Sequence, residues 1–297
     1  MTWHDVIFFL VFASQIVVIS VLICGRLLRR IRRLLEQYPA TEYPRLYPRP
    51  QAEYWVRYAL LRFYNRAVIV LGVGLLVALM LWIDHGSFAD DGAISEFWPV
   101  FYAALQIVPI LYLSHFEMKH TRLIRQYDPR RQRSASLQPR RLFDFVSPLL
   151  FSGAVLLMMA TIAFDFYAHD FIVDIRHDSL QRTISLLIAN LYMAGWGWWM
   201  LRGSRTDPHL ATHDRYRLIA VQLHSMVMVS IVISLLFITE VIDDLYSLDA
   251  FEASLISVFF QTVVYLGVGV VMKQFRLEDI DFSGYRDDAS TAQQALR

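Results

Sequence analysis

Residues 6–35, VIFFLVFASQIVVISVLICGRLLRRIRRLL, decide the fold. From Val6 to Cys24 no side chain carries a charge. At about 1.5 Å of rise per residue, a helix of that length approaches the roughly 30 Å of a bilayer's hydrocarbon core. Arg26, Arg29, Arg30, Arg32 and Arg33 then follow almost at once. The apolar run is longer than the core of a cleavable signal. It has no basic segment before it and no small-residue cleavage site after it, so it is expected to persist as an anchor.

The same alternation of long apolar runs and charged joints continues to the end of the chain. Of 297 residues 56% are hydrophobic, too many for a soluble domain with one core. The pattern predicts an all-α integral membrane protein, a seven-helix transmembrane bundle. The first span occupies residues 1–24, and a connection over 25–66 carries a basic helix, a Tyr-Pro linker and an approach helix. A six-helix bundle follows over 67–272, with spans near 67–83, 97–113, 146–164, 183–201, 218–239 and 253–272, and a short tail closes the chain over 273–297.

Threading those spans places 26 of the 28 Lys and Arg on one side, leaving Arg176 and Arg182 on the other. Positive loops stay in the cytoplasm, so the N-terminus is expected outside and the C-terminus inside. A misplaced span would scramble this asymmetry. Arginine so outnumbers lysine that a GC-rich bacterial genome is the natural source, and a bacterial inner membrane the expected location. The single cysteine, Cys24, excludes an internal disulfide or a multi-cysteine metal site.

Spans one, three, five and seven each carry one amide near the middle: Gln15, Gln106, Asn190 and Gln261. Their surroundings rhyme as QIVVI, QIVPI, NLYMA and QTVVY, with an acid before three of them and a cation after each. The spacing is that of one leading helix plus three repeated helical hairpins. An amide in hydrocarbon prefers a partner on a neighbouring helix, worth about 0.6–2 kcal/mol, so four at one depth predict a midplane polar belt. Packing is the favoured account, because no Asp, Glu, Lys or Arg accompanies them; a lined solute path is the alternative. Pro109 removes the helical donor of the Leu105 carbonyl and predicts a bend beside Gln106. Gly72, Gly197 and Gly269 are among the small residues expected at close helix contacts.

His224, two residues after Gln222, is the one titratable group other than tyrosine inside a span, either hydrogen-bonded in the bundle or a proton-sensitive gate. For a metal, His115 and His120 in HFEMKH and His209 and His213 in DPHLATHD are weak candidates. No third ligand is fixed by spacing, and the outer pairs His169–Asp170 and His177–Asp178 match no metal motif. The sequence implies no particular cofactor.

The helix after Cys24 sets Leu27, Ile31 and Leu34 apart from its arginines, which suits an interface with anionic headgroups as partners. Tyr-Pro recurs at 38, 43 and 47 and makes a stiff linker that pins to the membrane surface or docks a protein partner. The arginine run around 122–141 is assigned to headgroups and topology, not nucleic acid. The tail is expected to be polar and disordered toward its end.

No phosphate-binding glycine loop, nucleophile elbow or paired catalytic carboxylates occur, so enzymatic chemistry is not expected. The leading reading is a small solute or ion transporter or channel that uses the amide belt. The alternative is a non-enzymatic scaffold or signalling subunit acting through a partner.

Overall fold

The computed structural model describes residues 2–84, 94–126, 141–171, 178–202, 207–246 and 249–286. The end of the tail and the middle of the arginine run, 127–140, together with Arg176 and His177, lie outside them. Among the described residues all regular structure is helical. Among the same residues seven helices are long and apolar enough to cross a membrane.

The opening stretch forms one uninterrupted helix in three parts. These are α1 (Trp3–Gln15), a π-helical segment (Ile16–Cys24) and α2 (Gly25–Gln37). Thr2 caps its start, its hydroxyl accepting from the Asp5 amide while Asp5 accepts from the Thr2 amide, which satisfies two donors that a helix start leaves open. The residues at both joints keep right-handed helical dihedrals, so the basic helix continues the first span directly.

The remaining spans are α3 (Gln51–Asp84), α4 (Phe97–Gln126), α5 (Pro148–Ala168), α6 (Asp178–Leu201), α7 (Thr212–Tyr246) and α8 (Glu252–Val264). The last continues through a π-turn (Tyr265–Gly269) into α9 (Val270–Gln274). Helices α3, α4 and α7 extend well past their apolar centres at the basic end. No proline or glycine interrupts 51–66 or 114–126, so nothing stops the helix where the apolar run stops.

The first span is the hub. Phe8, Phe12 and Ile16 pack with Val68 of α3, Tyr102 of α4 and Ala253 of α8. A second group sets Leu186 of α6 against Val229 and Ile233 of α7, with Phe259 and Val263 of α8 beside them. Helix α8 therefore joins both halves. Outward faces carry Val70, Leu149, Leu156 and Leu191, all widely exposed, the pattern of a surface solvated by lipid. Gly72 sits where a methyl group would strike the Tyr102 ring, while Gly74 faces open space.

At the basic end a small second core forms outside the spans. Leu35 of α2, Tyr43, Leu46 and Tyr47 of the linker, and Leu277, Phe282 and Tyr285 of the tail pack together. Tail residues 275–286 are thus part of the fold: amphipathic residues between the charges give the segment an apolar side to bury.

Candidate functional site

The three glutamines of the sequence argument meet where α1, α4 and α8 cross. Gln15 donates to Gln106 Oε1 at 3.1 Å and to the Pro99 carbonyl at 3.3 Å. Gln106 donates to the Gln15 carbonyl at 3.2 Å and to Ser20 Oγ at 2.8 Å. Ser257 donates to Gln15 Oε1 at 2.6 Å. Gln261 accepts from Ser14 at 3.1 Å and donates to the Val11 carbonyl at 3.3 Å. Ser20 follows Gln15 by five residues, an awkward spacing for one α-helical face. The wider i→i+5 turn of the π-segment brings both to Gln106.

Asn190 does not join this group. It donates to the Leu186 carbonyl at 2.9 Å and accepts from Ser230 of α7. The carbonyl of Leu105, freed by Pro109, accepts from Tyr64 at 3.1 Å, so α3 supplies the donor that proline removed. Asn65 donates to the Ser20 carbonyl at 3.1 Å, a partner that no spacing rule had singled out.

Below this layer, toward the basic end, lies an open cavity of about 480 Å³ bounded by α2, α4, α6, α7 and the tail. Its apolar wall includes Trp196, Trp199, Met118 and Leu218, and its charged groups include Arg30, Arg122, Arg125, Glu117 and Asp207. Glu117 lines this space and is exposed to it. Gln222 and Ser114 stand on its wall as well.

The tail closes one side of the cavity. Tyr285 donates to Asp207 at 2.8 Å, and burial, followed by the Asp207 charge, pushes its phenol far above the ordinary tyrosine range. Asp281 accepts from the Ser283 amide at 2.9 Å, which holds its carboxyl below the usual range. Arg286 donates to Tyr43 at 2.9 Å, and the Asp281 amide donates to Asp214 at 2.9 Å. At Gly284 a Cβ would fall within 2.6 Å of the His209 carbonyl, so only glycine permits this approach.

The histidines are dispersed. His120 shares a hydrogen bond of 3.1 Å with Tyr54 and stacks on Phe116. His115 is exposed one turn away. His209 is buried beside Tyr285, and exposed His213 lies 3.8 Å from Asp214. His224 is exposed, while Gln222 faces the cavity. Among the described residues no group of three or more His, Cys, Asp or Glu is arranged to hold a metal ion.

At the acidic end Arg182 of α6 joins two neighbouring helices. It donates to Asp165 of α5 at 3.2 Å and pairs with Asp244 of α7. His169 lies 3.1 Å from the same Asp165 carboxylate.

Sequence reading singled out the amides but missed the cavity. Its arginines were legible as topology signals, while Trp196 and Trp199 carried no signal that singled them out. Nothing in their spacing says that they converge. No protein-family model matches this chain, and no curated protein or solved structure matches it either.

Proposed function

We propose that this chain is a carrier of the bacterial inner membrane for a small amphipathic organic anion, with the basic end of the bundle in the cytoplasm. The carrying observation is the cavity, which sets three arginines and two carboxylates, Glu117 and Asp207, against tryptophans at the basic end and stops below a hydrogen-bonded amide layer. Arg122 and Arg125 suit a carboxylate or phosphate group, and Trp196 and Trp199 suit an apolar body. The glutamine layer is the barrier that closes the path in this conformation.

The alternative, a scaffold, drew on the Tyr-Pro linker as a docking face. The linker's Tyr43 and Tyr47 are buried against the chain's own tail, which favours the carrier reading.

The test is a panel of medium-chain and aryl carboxylates offered to the purified protein, followed by flux in proteoliposomes. A member of the panel quenches tryptophan fluorescence, quenching weakens about tenfold or more in Arg122→Gln, and flux saturates. In a Cys24→Ser background, a cysteine at Thr121 reacts with a water-soluble thiol reagent while one at Ser257 does not. Absence of binding and flux throughout the panel, with a partner protein co-purifying in fixed ratio, would return the reading to a scaffold.

A further inference from the structure

A second recess lies on the other side of α2. Where α2 leaves the first span and α9 leaves the seventh, the two helices bound a groove of about 600 Å³. Six cations face it: Arg26, Arg29, Arg30 and Arg33 from α2, Lys273 from α9, and Arg276 just beyond. Among the described residues Glu278 is the one acid that lines it. Two of the six are answered by the protein. Arg30 donates to the Phe275 carbonyl at 2.5 Å, and Arg33 lies 3.9 Å from Glu278. Arg26, Arg29, Lys273 and Arg276 are exposed and have no partner among the described residues.

Such a concentration of like charge beside a membrane draws anions to it. The groove also has an apolar side, formed by Met272 and the π-turn residues Tyr265 and Gly269. Its height is that of the step from apolar to basic sequence in both helices, Cys24 to Arg26 and Met272 to Lys273. In a membrane-spanning chain that step marks the headgroup layer.

We infer that this groove is a discrete binding site for one anionic phospholipid carrying two phosphates. Four free cations supply two donors' worth of charge to each phosphate, guanidinium groups fit phosphate oxygens in a bidentate manner, and the acyl chains run along Met272 and Tyr265 of the seventh span. The site is stoichiometric and separate from the general attraction of basic loops for an anionic leaflet. It rests on the membrane reading but not on transport, and its occupancy is measurable in detergent where no orientation is needed.

The experiment is native mass spectrometry of the full-length protein in detergent with three added lipids: a four-chain diphosphate phospholipid, a phosphatidylglycerol and a phosphatidylcholine. One copy of the diphosphate lipid is retained, at least about tenfold more tightly than phosphatidylcholine. The pair Arg26→Gln with Lys273→Gln removes that preference. Arg32→Gln leaves it unchanged, because Arg32 pairs with Glu36 at 2.8 Å outside the groove. Should the first pair fail to fold, Arg29→Gln with Arg276→Gln gives the same reading from the other residues. Equal retention of all three lipids, an unaltered preference in a folded pair variant, or equal binding of the deacylated headgroup would overturn the site. None of those results bears on flux, and absent flux does not bear on the lipid.

Discussion

Gln15 and Gln106 hold each other reciprocally: the Gln15 amide donates to the Gln106 side chain, and the Gln106 amide donates to the Gln15 backbone carbonyl. Both side chains are fully enclosed. Replacing Gln15 by Leu therefore strands the Gln106 oxygen and the Ser257 hydroxyl, at a cost of about 1–3 kcal/mol. The double variant Gln15→Leu/Gln106→Leu costs less than the sum of the singles. Thermal unfolding in detergent over the four-member cycle measures this, and strict additivity would show that the pair is not coupled.

Tyr64 and Pro109 form a similar couple across α3 and α4. Tyr64→Phe removes the donor to the Leu105 carbonyl and lowers stability by about 1 kcal/mol. Pro109→Ala gives that carbonyl back its own helical donor. On that background Tyr64→Phe is expected to be close to neutral, and an undiminished loss would mean the hydroxyl acts elsewhere.

Arg182 answers Asp165, which is almost wholly buried. Among the described residues Arg182→Gln leaves that carboxylate facing His169 alone, and about 3–5 kcal/mol of stability is lost. Asp165→Asn on the same background recovers part of it, since the stranded charge is then gone. Chemical denaturation of the single and double variants checks the order.

The docked tail should loosen in alkali. Tyr285 is held neutral by burial and by Asp207, so its raised pKa stabilises the docked form fully below the free tyrosine value of about 10. As pH rises above that value the released tail ionises and the docked tail resists, so docking weakens. Tyr47, pushed up to about 12 by burial, acts in the same sense. Proteolysis of the tail is expected to accelerate above about pH 10 and to lose most of that dependence in Tyr285→Phe.

The sequence alone determined seven helices long and apolar enough to cross a membrane, the basic stretches that follow or precede them, and the carbonyl freed by Pro109. Each of these is a local property of the chain, set by run length, rise per residue or a missing donor. Tertiary structure alone decided that Gln106 meets Gln15 while Asn190 turns to Ser230, that Ser20 comes round to the same face, and that the linker and tail fold together. It alone placed the arginines around a cavity and a groove. The reason lies in the solvent: lipid is as apolar as a packed helix neighbour, so hydropathy reports that a span is buried in something without saying which face meets protein. Helix rotation, local π winding and the choice of neighbour then settle every contact on which the proposed sites depend.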